Sequence, residues 1–192
     1  MKTIQYNIKK THNISNKDNS TDDKKDKMRE VIKNIKNNDL SCNVNNILND
    51  HDAQCVLINK LYLVDSSINT ELKAFILREL RNKINSYKTQ DVKKDFHEIE
   101  NLITLDEVIE KLVTSKLKCY YCNLNIFFIF EKIRENKQWT LDRLNNYDEH
   151  TNQNTIISCL KCNLQRRRKN SEKFKFTKQL ETNQIKISKI NF

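Results

Sequence analysis

A chain of 192 residues has room for one or two small domains, and 37% hydrophobic against 31% charged residues describes a modest core under a large solvated surface. No apolar run nears the length of a membrane span and residues 1–10 are polar, so neither a membrane protein nor a secretory leader is expected, and an intracellular, reducing setting follows. The formal charge of +10 is segregated: residues 116–192 hold 16 Lys and Arg against 7 Asp and Glu, while the rest is nearly neutral, which favours a polyanionic partner over a merely solubilising surface.

Glycine and proline are both absent, and with abundant Asn, Lys and Ile this points to an AT-rich coding genome. Wherever the backbone needs a positive φ, Asn or Asp is expected to serve in place of Gly. Residues 1–22, rich in Asn, Lys, Ser and Asp, read as a disordered or loosely attached tail. A helical unit is expected over 23–115. Met28, Val31, Ile32 and Ile35 fall at helical spacing, residues 44–64 suit one broken or two short helices, and residues 68–87 put Leu72, Phe75, Ile76, Leu80 and Ile84 on one face. Another helix is expected over 92–101. Thr104 and Glu107 form a capping-box pattern that opens a helix to about residue 115, burying Val108, Ile109, Leu112 and Val113. Cys42, His51 and Cys55 lack an evident fourth ligand and are expected to pack rather than to bind metal. His12 and His97 carry no expected role.

The residues that carry chemistry lie in 116–182. Cys119 and Cys122 are two residues apart, as are Cys159 and Cys162, and 36 residues separate the pairs. Each Cys-x-x-Cys turn aims two sulfurs at one point, so two turns supply four thiolates for a tetrahedral structural Zn²⁺; the rival is a redox dithiol or two unrelated pairs. The second pair is expected to open a helix, whose dipole favours thiolates. Between the pairs, residues 139–142 read as a strand presenting Asp142, residues 143–154 as a polar loop, and residues 155–157 as a second strand. Asp142 and Asn163 offer oxygen ligands of the kind that suit Mg²⁺ or Mn²⁺. Arg166, Arg167, Arg168, Lys169 and Lys173, with Lys175 and Lys178 beyond, give a basic run able to neutralise phosphates. Phe174 and Phe176 suit a small strand or a packed helix end, and the alternation in 185–192 suits a short terminal strand.

The run Leu141, Asp142, Arg143, Leu144, Asn145, Asn146, followed by His150, Asn154, Cys159, Cys162, Asn163, Arg166 and Arg167, resembles the HNH endonucleases, in particular their four-cysteine branch from phages and large DNA viruses. The resemblance covers about residues 116–170. It implies an α+β chain in which the helical unit precedes a zinc-stapled ββα-metal module, a treble-clef variant, over 116–182, with a strand or tail over 183–192. It further implies a metal-dependent endonuclease that hydrolyses DNA phosphodiester bonds, with RNA the less favoured substrate. A protein partner could dock on the helical unit, and a viral chain would work in the host cytoplasm, the nucleus or the virion.

By the same resemblance, Asp142 and Asn163 would hold a catalytic Mg²⁺ or Mn²⁺, Asn154 would pin the loop and orient the base, and the cysteines would hold a separate structural zinc. Many members have His directly after the strand Asp. Here that position is Arg143, so His150 becomes the substitute base and Arg143 a candidate contact for the scissile phosphate. The Gly that commonly precedes the loop residue is Glu149 here, and Asn145, Asn146 or Asp148 is expected to absorb any left-handed turn. Arg143 and the missing Gly favour the rival reading, a catalytically inactive zinc module that binds nucleic acid or a protein partner.

Overall fold

The computed structural model describes residues 41–96 and 101–190, without the side chains of 41–44 and 182–190. The expected tail, the helix over 23–37, the Cys42 side chain, His12 and His97 lie outside these. Residues 44–64 form two helices, α1 (Ser41–Leu48) and α2 (His51–Tyr62), split where the Asp50 side chain accepts from the amides of Asp52 and Ala53 and so starts α2. Asn69 caps α3 (Thr70–Val92) in the same way. That helix outruns residue 87 because Tyr87 and Asp91 continue its buried stripe. The helix expected over 92–101 does not continue through 93–96: the chain turns there, and residues 97–100 are not described. Both halves of the capping box open α4 (Leu105–Thr114). Cys55 and His51 are half-buried, with sulfur and Nε2 3.7 Å apart and Nε2 3.1 Å from the Leu117 carbonyl.

Three of these helices end in the same motif. Beyond α2, the amides of Val64 and Asp65 donate back to the carbonyls of Leu61 and Lys60. Asp95 and Phe96 do so at the end of α3, toward Val92 and Asp91, and Lys116 and Leu117 at the end of α4, toward Val113 and Leu112. This paired closure puts one residue in the left-handed region, where glycine is usual. Val64, Asp95 and Lys116 hold that place, with φ of 55°, 56° and 52°. Among the described residues Leu117, Asn123 and Arg167 also have positive φ, so only Asp95 and Asn123 are of the expected types. Asn145, Asn146 and Asp148 are not among the six, so the 144–154 loop needs no left-handed turn.

The second half of the chain is a cysteine knuckle, a hairpin and two helices. Strand β1 (Trp139–Arg143) pairs antiparallel with β2 (Thr155–Cys159), with Asp142 opposite Ile156. The knuckle at 119–124 closes on itself through Asn123 and is tied to β2 by the Tyr120 amide, 3.0 Å from the Ile157 carbonyl. Helix α5 (Leu160–Arg166) starts with Cys159 as its cap. Helix α6 (Ser171–Ile190) takes the helix alternative at Phe174 and Phe176 and runs on through 185–190, where a short strand was expected. Asn170 caps its start by accepting from the Lys173 amide, and Phe174 anchors it edge-on to Tyr121 at 5.0 Å, so helix nucleation and burial override the alternating pattern.

The architecture is mixed helix and small two-stranded sheet, α+β, and one hydrophobic core runs from Leu48 to Phe174. Its polar cross-link is Gln54, fully buried on α2. The amide nitrogen donates to the carbonyls of Ile47, Leu48 and Ile129, and the amide oxygen accepts from the backbone of Phe128 and Ile129. Helix α3 lies against β1, where the Leu141 amide donates to the Tyr87 hydroxyl and the Lys83 ammonium donates to the Trp139 carbonyl. Among the described residues no helix is long and apolar enough to cross a membrane.

Candidate functional site

Cys119 and Cys122 come from the knuckle, Cys159 from the end of β2 and Cys162 from the first turn of α5. All four are buried, and their sulfurs lie within 4.8 Å of one another. Thiols this close share protons: hydrogen bonds from Cys122, Cys159 and Cys162 push the Cys119 thiol far down. Cys119 raises Cys122, but Cys159 and Cys162 outweigh it and bring that thiol to about 7. Cys159 and Cys162 are pushed up, first by Cys119. Only a cation at the centre lets all four ionise together. The group could hold a metal ion such as zinc, and its donor set and close spacing fit one.

Beside this cluster lies a cleft of about 800 Å³. Among the described residues Lys94, Arg143, Arg166, Arg167, Arg168 and Lys169 line it against one carboxylate, Asp142, and Asn145, Asn146, Tyr147, His150 and Asn163 also belong to the wall. The field is strong enough that Lys94, lowered first by burial, is lowered further by Arg143 and Arg168. Arg167, Arg168 and Lys169 line it and are exposed; Lys173 is exposed too but is not part of its lining.

Asp142 sits inward. Tyr121 donates its hydroxyl to Oδ2 at 2.6 Å and Arg166 donates Nη1 to Oδ1 at 2.8 Å. Burial raises the Asp142 carboxyl, and these two partners oppose it. Arg166, only 1% exposed, also donates to the Leu144 carbonyl, and its Nε is buried with no partner among the described residues. This arginine is therefore a strut beneath the loop rather than a surface contact. Asn163 donates to Thr140 Oγ1 and, at 3.4 Å, to the Leu141 carbonyl, tying α5 to β1.

The 144–154 loop hangs on Asn154. Its side chain accepts from the Asn145 amide and donates to the carbonyls of Asn145 and Glu149, while its carbonyl accepts from the Leu144 amide. His150, 3% exposed, lies against the Tyr87 ring at 4.8 Å. Its Nδ1 is 2.7 Å from Asp91 Oδ1, and its backbone amide donates to Asp91 Oδ2 at 2.9 Å. Arg143 donates to the same Asp91 Oδ1 at 3.3 Å and to the Asp148 carbonyl, with its guanidinium 5.6 Å from the Phe96 ring centre. Burial, ahead of every other influence, lowers the imidazole to about 4; Arg143 and Lys94 add to this and Asp91 opposes it.

No family model, curated protein or solved structure matches this chain.

The hairpin, loop and α5 gather Asp142, Arg143, His150, Asn163 and Arg166 around one cleft, while Asn154 holds the loop from outside its lining. The sequence reading missed Asp91. Its signal was available: Leu80, Ile84, Tyr87 and Asp91 step by three or four along α3, so an acid occupies a core position of an amphipathic helix.

Proposed function

We propose that this chain is an HNH-type endonuclease that hydrolyses DNA phosphodiester bonds, built on a treble-clef module in which the four cysteines hold a structural zinc. The observation that carries the reading is a histidine in the wall of a cation-lined cleft, held by one ring nitrogen only. His150 Nε2 has no hydrogen-bond partner among the described residues, and its residue shares the wall with six cationic side chains. Zinc on four thiolates is coordinatively closed, so it supplies shape and no reactive position.

In this reading, Nε2 of His150 takes a proton from a water in the cleft. The hydroxide attacks phosphorus, the bond to the leaving oxygen breaks, and that oxygen takes its proton from solvent. Arg167, Arg168, Lys169 and Lys94 neutralise flanking phosphates, which gives affinity without sequence choice. Asn154 holds the loop that carries the base. Arg143 steadies the same loop through Asp148 and is engaged with Asp91 rather than free for the scissile phosphate.

Asp142 and Asn163 make a poor site for Mg²⁺ or Mn²⁺ as arranged. The one carboxylate is already neutralised by a buried guanidinium, and the amide nitrogen of Asn163 is spent on β1. The same pairing favours a second reading, a zinc module that binds nucleic acid without cutting it. Supercoiled plasmid incubated with the purified chain in Mg²⁺, Mn²⁺ or EDTA separates the two. Nicking that falls roughly 100-fold or more in His150→Ala supports the enzyme. Salt-sensitive binding with no nicking under any of the three conditions establishes the binder instead.

A further inference from the structure

We infer that Asp91, on the helical half of the chain, is a positioning residue that fixes His150, a residue of the cleft wall, in the tautomer whose basic nitrogen is Nε2. The inference rests on the proposed hydrolysis, but its geometry is independent of it. An ionised carboxylate can only accept hydrogen bonds, so a ring nitrogen 2.7 Å from Asp91 Oδ1 must carry the proton. The neutral ring then has its lone pair on Nε2.

The carboxylate grips the loop twice, since Oδ2 accepts the backbone amide of the same histidine. It is only 6% exposed on its side chain, and the Arg143 guanidinium lies 3.3 Å from its Oδ1. The charged groups facing the imidazole are therefore Asp91 and Lys94 from the end of α3 and Arg143 from β1, with the Tyr87 ring on one face. Two cations and burial oppose an imidazolium, while Asp91 sets which nitrogen is bare. A simple ion pair would have protonated the ring; this surrounding instead makes an oriented neutral base.

The arrangement also gives the helical half a part in the chemistry. Asp91 is 59 residues from His150 in sequence, and Tyr87, Gln90, Lys94 and Phe96 bring the same end of α3 into the cleft wall. The cysteine module alone carries the base but not the group that orients it.

Imidazole nitrogen NMR on the full chain, with the ring assigned by comparison with His150→Gln, reads the tautomer directly. In the wild type His150 must show a proton on Nδ1 and a bare Nε2 between about pH 5 and pH 8. A ring protonated on Nε2, or on both nitrogens, overturns the inference whatever any variant does. Asp91→Asn, checked for zinc content and melting temperature, should release the tautomer and slow nicking roughly 10- to 100-fold, with DNA affinity held within about two-fold and partial rescue by Asp91→Glu. A folded Asp91→Asn that keeps both the tautomer and the nicking rate would also overturn it. If the wild type never nicks while Asp91→Asn still releases the tautomer, the proposed hydrolysis fails and the positioning stands.

Discussion

Asp142 shows how one side chain changes meaning once its neighbours are known. From the sequence it is a strand-end carboxylate aimed at a metal; in the fold it is the counter-charge of Arg166, with side chains 7% and 1% exposed. Removing it leaves a buried guanidinium uncompensated, so Asp142→Ala should lose about 3–5 kcal/mol in urea unfolding. The double replacement Asp142→Leu with Arg166→Met should recover most of that loss. A nicking defect in Asp142→Ala alone would therefore mix catalysis with folding.

His150 makes a separable prediction. Its imidazole stands at about 4 in the fold against an ordinary 6.5, so the unfolded chain binds the extra proton in that window. Stability should be insensitive to this group above pH 6.5 and fall as pH drops from 6.5 toward about 4, a slope that His150→Gln should remove from the urea midpoint. Nicking should stay flat on the acid side well below pH 6.5, because the base remains neutral. Asn154 was legible as a loop pin through the resemblance alone, since the loop's other amides look the same in the sequence. Arg166 was not, since a basic run looks identical whether a given arginine faces water or a buried acid.

At the level of elements, the hairpin, the capping box and α3 were readable because each rests on local rules of strand, cap and helical spacing. Near the C-terminus the local pattern leaves a strand and a packed helix end open for Phe174 and Phe176, and the helix is what forms. Alternating Lys and Phe at 173–176 fits a strand by period, but the Asn170 cap and the contact of Phe174 with Tyr121 favour a helix. The helix ends offer their own test. Val64 is β-branched, 73% exposed and held at a φ of 55°, so Val64→Gly should add about 1 kcal/mol, and Lys116→Gly a similar amount. Both gains should appear as upward shifts in melting temperature without change in zinc content. At Arg167, with φ 53° and ψ −111°, glycine should stabilise the turn yet weaken DNA binding, because that residue's side chain lines the cleft.

Across the whole molecule, the four sulfurs hold together a knuckle, a strand end and a helix start. Chelation, or Cys162→Ser, should remove about one equivalent of metal and lower the melting temperature by roughly 10 °C or more. Tyr121 lies within the knuckle and its hydroxyl holds Asp142, so the same treatment should also disturb the cleft. The charge segregation seen in the sequence survives folding as a concentrated field. Neutralising Arg167, Arg168 and Lys169 together should weaken DNA binding uniformly across sequences and reduce the salt slope by about 2–3. The join between the two halves was the least legible feature. Gln54 stapling residues 128–129, Tyr87 meeting β1 and Asp91 meeting His150 are contacts more than 50 residues apart, and no local pattern announces them.

The helix ends closed by Val64 and Lys116 also bear on how such a sequence can drift. A chain without glycine lacks the cheapest relief at those turns, so its stability has to be gathered elsewhere, from packing. In a relative encoded by a GC-richer genome, glycine should appear first at the residues equivalent to 64, 116 and 167.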